Sequence, residues 1–303
     1  MSEKKFKHVI IWGHKLHSHT HSYIHNAFYR AFQNMGYDTH WIDDHDYNSN
    51  SMFRSFDYNN CLFLTEGQVC NAMPILKSSK YILHNCYNES LWNKIAEVGA
   101  DFLKIQVYTD DVLKYNVQKV EPALYHDAPG KMLYMPWATD LLPIEIIPLP
   151  LNAKTNKSWW IGTIGDGEFG NRNELNAFTN ACRENGISFE HASNISIEDN
   201  RQKIAESYMA PAIVGTWQKK KGYIPCRIFK NVSYGQYGMT NSKVVHELFE
   251  EKTIYSEYEH ELFELMVQKM YLPDYKFRLA SMIKFVKEKH TYINRINTIL
   301  SII

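Results

Sequence analysis

Residues 12–25 read WGHKLHSHTHSYIH and hold five of the chain's 14 histidines: His14, His17, His19, His21 and His25. An unperturbed imidazole titrates near pKa ~6.5, so a loop this rich in them suits general-base work around neutral pH. His17 and His19 sit centrally in the run and are the first choices for a base that removes a proton from an attacking hydroxyl. His14, nearest the preceding apolar stretch, is the third. The same side chains could bind a metal, but a catalytic metal site needs further ligands at later strand ends, and His84 is the one clean addition.

A second constellation lies far downstream, in YIPCRIFKNVSYGQYGMTNSK (223–243). Arg227 and Lys230 stand at i and i+3, so they share a face if 225–234 is helical. Ile224, Cys226, Ile228 and Phe229 make their surroundings apolar, and cations there need an anionic partner. A guanidinium can grip a diphosphate with two parallel N–H bonds, while an ammonium adds a point charge. Asn231, Thr240, Asn241 and Ser242 offer amide and hydroxyl groups nearby. Between the two constellations, IGTIGDGEFGNR (161–172) places Gly162, Gly165, Gly167 and Gly170 where a strand turns into a helix. Such turns let backbone N–H groups approach an anion, which makes Gly162, Thr163, Gly165 and Arg172 candidate ligands. The G-x-x-G-x-G spacing is not the dinucleotide fingerprint, which argues against NAD.

Positioning these groups requires a series of strands and helices. Apolar runs at 8–13, 61–67, 81–87 and 102–109, with THWIDD as a further strand, alternate with helical patterns. The first helix shows Tyr23, Ile24, Ala27, Phe28, Ala31, Phe32 and Met35 at spacings of three and four, and Gly36 stops it. Pro143, Pro148 and Pro150 fall within eight residues and mark a linker. The pattern then restarts with strands at 158–165, SFEHAS and 211–217, a helix from Arg172 to Asn185, and one capped by SIED (196–199). A closing helical stretch runs from Phe277 to Ile303, with a break near His290–Thr291. The series predicts an α/β chain of two doubly wound, Rossmann-like halves facing a cleft. Ligands in such sheets bind at the carboxyl ends of strands. Glu66, His84 and Asn85 fall at those ends and are candidate acceptor-site residues. In DDHD (43–46), Asp43 or Asp44 reads as a strand-end polar residue, with the rest in a solvated loop.

Composition is that of a globular protein: 45% hydrophobic and 22% charged, with 33 basic and 33 acidic residues. A net charge of zero argues against nucleic-acid binding through bulk charge. Five cysteines without C-x-x-C spacing read as reduced thiols. No signal peptide or run of ~18 apolar residues appears, so the expectation is a cytoplasmic protein, monomer or homodimer.

The C-terminal half resembles the donor domain of GT-B-fold glycosyltransferases, a group whose signature runs R-x-F-E, a small residue and Gly, then a polar loop. CRIFKNVSYGQYGMTNS follows that layout with Arg227, Phe229 and Gly235 in place. LYMPWATD (133–140) is similar to the Pro-x-x-x-Asp segment before the linker, and FVKEKHTYINRINTIL (285–300) to the closing helix. The resemblance covers roughly 130–303. The signature's Glu, which in the family holds ribose hydroxyls, is Lys230 here, and Gly222 stands eight residues before it. The paired-Glu motif of many retaining members is therefore absent, which favours inversion. The resemblance implies an acceptor domain over 1–140, a linker over 141–153, a nucleotide-sugar domain over 154–285 and a closing helix over 286–303 that packs back on the first domain. It implies a metal-independent hexosyl- or pentosyltransferase that moves a sugar from a nucleoside-diphosphate sugar to a hydroxyl of a glycan or small acceptor. No cofactor beyond the donor substrate is expected. Two other readings stand beside it. One is a metal-dependent hydrolase, whose opening His17-x-His19 resembles; the other is a non-catalytic nucleotide-sugar or glycan-binding protein.

Overall fold

The computed structural model describes residues 5–67, 70–85, 89–108, 122–125, 131–147 and 154–303. The first half is built on seven strands: β1 His8–Trp12, β2 Thr39–Ile42, β3 Cys61–Glu66, β4 Lys80–His84, β5 Asp101–Gln106, β6 Ala123–Tyr125 and β7 Lys131–Tyr134. Their spatial order is β2-β1-β3-β4-β5-β7-β6, parallel except for the antiparallel β6 edge. β6 and β7 extend the sheet beyond the strands read from sequence. The chain goes to opposite sides of β1 for β2 and β3, so the carboxyl ends of β1 and β3 form a topological switch point.

Alternation along the strands separates two cores. Val9 and Ile11 pack on one face with Phe28 and Phe32, while Ile10 and Trp12 pack on the other with Phe63 and Tyr81. The first helix, Ser22–Asn34, buries Ile24, Ala27, Phe28, Ala31 and Phe32, the stripe its sequence predicts. Gly36 follows at φ 81°, a backbone shape that glycine adopts without strain.

The second half holds β8 Lys157–Ile161, β9 Ser188–Ala192, β10 Met239–Thr240 and β11 Ile254–Tyr255. β8 pairs with β9 and β10 with β11, all parallel. The stretch 208–214 runs between the two pairs. Tyr208 N–H donates to Lys157 O (2.7 Å), Ala212 N–H donates to Met239 O (2.8 Å), and Ala212 bridges Thr240. The strand expected over 211–217 is therefore a single bridge. Pro211 has no N–H to give a ladder, and a helix begins at Thr216. Side chains make up the missing pairing: Asn241 accepts from Val214 N–H and donates to Val214 O, both at 2.9 Å.

The closing stretch breaks where the sequence indicates, into helices Tyr275–Lys289 and Tyr292–Ile302. Thr291 caps the second, its side chain accepting from Asn294 N–H. That last helix leaves the second half and packs on the first, with Tyr292, Ile296 and Ile299 in the core beside Phe28 and Phe32. The Tyr292 and Phe28 rings meet edge to face at 4.7 Å. Buried Arg295 anchors the crossover, donating to Pro136 O (2.7 Å), Trp137 O (3.2 Å) and His290 Nδ1 (2.9 Å). Much of the proline-rich linker, 148–153, lies outside the described residues, as does Cys86. Cys61, Cys70, Cys182 and Cys226 form no disulfide.

Candidate active site

A cleft of about 420 Å³ opens between the two halves. The start of the first helix contributes Thr20, His21, Tyr23 and Ile24, and the turn after β8 contributes Gly162, Thr163, Gly165 and Gly170. The helix Cys226–Ser233 presents Arg227, Lys230 and Asn231 to it.

Arg227 and Lys230 do lie one turn apart on that helix, yet their circumstances differ. The Arg227 guanidinium carbon stands 3.5 Å from the Trp160 ring centroid, and its Nη2 donates to Ile161 O at 3.1 Å. Its Nε is buried without a partner, and among the described residues no carboxylate pairs with it. Burial lowers its pKa to about 10, leaving it a partly desolvated cation at neutral pH. Lys230, by contrast, pairs with Asp140 at 2.9 Å. Burial works against the ammonium, but Asp140 more than offsets that and its pKa is raised. Asp140 also accepts the Tyr234 hydroxyl at 2.5 Å. Of the two cations, Arg227 is the one that lacks a counterion among the described residues.

The glycine turn packs more closely than an anion loop alone requires. A Cβ on Gly170 would fall 2.1 Å from Gly165 O, and one on Gly215 would fall 1.9 Å from Gly170 O. Gly162 N–H donates to Ala192 O, Gly165 N–H to Asn171 Oδ1 and Gly170 N–H to Gly167 O. These glycines thus serve close backbone approach. Gly162 has a further role: a Cβ there would stand 2.9 Å from Arg227 Nη2, so its absence makes room for the guanidinium.

Four of the residues expected at a donor lie away from the cleft. Arg172 pairs with Asp166 on the exposed side of the turn. Thr240 is fully buried and donates to Ala212 O, Asn241 brackets Val214, and Ser242 N–H donates to Thr240 Oγ1. They hold the second sheet together. Asn231 lines the cleft but donates to Ala210 O at 2.9 Å.

On the facing side, register brings the polar strand ends together. Trp12 pairs with Thr65 and Glu66 with His84, which places His14, Glu66, His84 and Asn85 at one edge. His14 Nε2 bonds Glu66 Oε2, and His21 Nδ1 lies 3.2 Å from Glu66 Oε1. Asn85 Nδ2 donates to Glu66 Oε1 at 3.2 Å. Burial pushes the Glu66 carboxyl up, but the hydrogen bond from His14 and the nearby His21 ring outweigh it and hold the group well below the carboxylate range. Beneath, His25 donates Nδ1–H to Gly13 O (2.9 Å) and meets His84 Nε2 at 2.7 Å. Burial lowers the His25 pKa to about 3 and takes His84 well below its usual value, so both are neutral imidazoles.

The three histidines favoured from sequence are not the ones that face the cleft. His17 is exposed and bonds the Tyr23 hydroxyl (3.0 Å), His19 is exposed and stacks on His14 at 4.2 Å, and His14 turns toward Glu66. His21, from the same run, lines the cleft with its ring held by Glu66. Its place immediately before the first helix, at the helix N-cap, was the available signal. Asp43 and Asp44 have structural roles. Asp43 caps the helix Asp44–Ser49 in a capping box with Asp46. Asp44 accepts from Trp12 Nε1 at 2.8 Å.

Two Rossmann-like domains facing a cleft, with the last helix returned to the first domain, constitute the GT-B fold. A solved structure agrees on that fold. An alpha-glucosyltransferase in complex with UDP-glucose and DNA containing an abasic site matches with a TM-score of 0.56 and 9% identity, over 93% of this chain and 95% of that one. A structure described as OtsA apo gives a TM-score of 0.43 at 9% identity, over 90% of this chain and 76% of that one. No family model matches the sequence, and no curated protein does. Among the described residues, no helix is long and apolar enough to cross a membrane.

Proposed function

We propose that the chain is a glycosyltransferase that moves a sugar from a nucleoside-diphosphate sugar onto a hydroxyl of a glycan or small acceptor. The observation that carries this reading is the half-buried Arg227 guanidinium, which lines the cleft with its Nε shut off from water and no carboxylate partner among the described residues. A buried cation is retained at a cost unless an anion completes it, and a diphosphate is the anion a GT-B cleft admits. Fold likeness alone does not establish chemistry. It does select the first probe, because the glucosyltransferase named above was solved with UDP-glucose.

In the proposed reaction, His21 takes the proton of the acceptor hydroxyl while that oxygen attacks the anomeric carbon. The bond from that carbon to the diphosphate oxygen breaks, and its electron pair leaves with the diphosphate. Arg227 meets the developing charge, with the Lys230–Asp140 pair beside it. Glu66 stabilises the imidazolium that forms on His21. Single displacement with inversion suits this arrangement, because Asp140 is the one carboxylate lining the cleft among the described residues and is engaged by Lys230 and Tyr234. The charges supplied by these side chains do not call on a resident metal for the transfer step.

The test is a thermal-shift screen of UDP, GDP, dTDP and their sugars, followed by release of nucleoside diphosphate in the presence of hydroxyl acceptors. Stabilisation by one nucleotide and acceptor-dependent release support transfer. Binding without release with any acceptor favours a non-catalytic sugar-nucleotide binder, and no binding at all removes the reading.

A further inference from the structure

Three imidazoles and a carboxylate meet at the switch point of the first sheet in a manner that base catalysis does not require. One donor atom from each of His14, His19, His21 and Glu66 lies within 4.8 Å of the others. Ligand atoms held tetrahedrally at about 2.1 Å from a single ion stand about 3.4 Å apart, so side-chain rotations that draw the donor atoms together by up to about 1.4 Å would close the set. The His14 and Glu66 side chains are 8% and 3% exposed. Among the described residues no lysine or arginine pairs with Glu66, and its close neighbours are imidazoles and Asn85. Imidazoles compensate a buried carboxylate fully only when protonated, whereas a divalent ion would do so outright. His21 Nδ1 is buried and makes no hydrogen bond despite its closeness to Glu66.

The surroundings are those of ligands held from behind. Asn85 donates to Glu66, and His25 donates to the carbonyl of Gly13, the residue before His14. His14 and Asn85 flank the carboxylate with φ of 49° and 46°. Both are left-handed conformations that non-glycine residues adopt at a cost.

We propose that His14, His19, His21 and Glu66 bind one divalent ion of the Zn²⁺ class, the ion suited to three imidazoles and a carboxylate in four-coordinate geometry. The ion takes the lone pair of His21. On the reading given above, the metal-loaded protein therefore loses its base, and zinc inhibits transfer. A second grouping, His8, Asp38 and His40, lies at the amino ends of β1 and β2, away from the cleft, and its Asp38 side chain is 60% exposed. It serves as the control.

The test uses the full chain, stripped with chelator and titrated with Zn²⁺, with Co²⁺ as a spectroscopic stand-in. One ion per chain is expected, with tetrahedral Co²⁺ bands that Zn²⁺ displaces. His19→Ala changes an exposed side chain and should keep the apo melting temperature while weakening binding at least about 10-fold. Glu66→Gln should weaken it likewise, and His40→Ala should leave it unchanged. Binding that survives both His19→Ala and Glu66→Gln, or fails in the parent chain, overturns the site. If one ion binds but transfer continues at full rate, the inhibition and the base assignment of His21 fall while the metal site stands. If no ion binds, the base assignment is untouched.

Discussion

Arg227 stacks over Trp160, 3.5 Å from guanidinium carbon to ring centroid, with one N–H spent on Ile161 O and its Nε buried without an acceptor. An aromatic face can share the charge of a guanidinium but offers no acceptor to its N–H groups. Replacing Arg227 with Leu should therefore weaken nucleoside-diphosphate binding about 30- to 100-fold, the loss of one charge-assisted contact. It should not lower the melting temperature of the free protein, because it also removes a desolvated charge. Calorimetric titration of the best-binding nucleotide alongside thermal unfolding checks both halves. Unchanged affinity would take Arg227 out of the site.

Gly162→Ala is expected to reproduce part of that loss from the opposite side. Its φ of +116° strains any side chain, and the new methyl would stand 2.9 Å from Arg227 Nη2. A drop in affinity that fails to add to the Arg227→Leu loss in the double variant would show that both act on one guanidinium.

Asp140 organises the floor of the cleft through Lys230 and Tyr234. Asp140→Asn leaves a buried ammonium with no counter-charge, and should cost about 3–5 kcal/mol of unfolding free energy in urea. Combining it with Lys230→Met should recover much of that loss. If the double variant is as unstable as the single one, the cost belongs to Tyr234 or to packing.

For catalysis, His21→Asn should lower turnover by about 10²- to 10⁴-fold, the usual worth of a positioned base, with donor affinity within about twofold of the parent. His17→Asn, on the exposed side of the loop, should change turnover little. Equal effects from the two would reassign the base.

Stability should fall as pH drops below about 6.5, the ordinary value for an unfolded-state histidine. Burial first, then the nearby Arg295 and Lys289 charges, hold His290 well below that value. Its Nδ1 accepts from Arg295 and its ring stacks on Phe229 at 4.5 Å. In acid the unfolded chain takes up a proton that the folded one refuses, so stability is lost from about pH 6.5 down to the folded pKa. His25 and His84 contribute in the same direction. His290→Gln should flatten the slope of unfolding free energy against pH between 7.5 and 5, whatever it does to stability at pH 7.5. An unaltered slope would assign the acid sensitivity to the other two.

What could be read from the residues alone was set by where the signal was local. Apolar runs ending in Gly13, Gly67 and Gly162 marked strands, and the 3–4 spacing through Phe28 and Phe32 marked a helix, because backbone periodicity is written in consecutive residues. Arg227 was legible for the same reason: a cation surrounded by Ile224, Ile228 and Phe229 stands out. Lys230 looked equivalent because its neutralising partner is 90 positions away in sequence, across a tertiary contact. Thr240 and Asn241 looked like ligands because polar loops usually are, and only the missing ladder at Pro211 explains why their hydrogen bonds turn inward. That His21 lines the cleft while His17 and His19 do not depends on which way each ring points, which spacing along an irregular loop does not encode.

Handing the final helix back to the opening sheet has a consequence for biosynthesis. Phe28 and Phe32 must wait for Ile296 and Ile299, more than 250 positions later, before that hydrophobic layer is closed. The earliest-made half of the chain is thus among the last to be finished. Until the helix Tyr292–Ile302 has been made, an apolar groove over the first helix stays open, the kind of surface that chaperones bind.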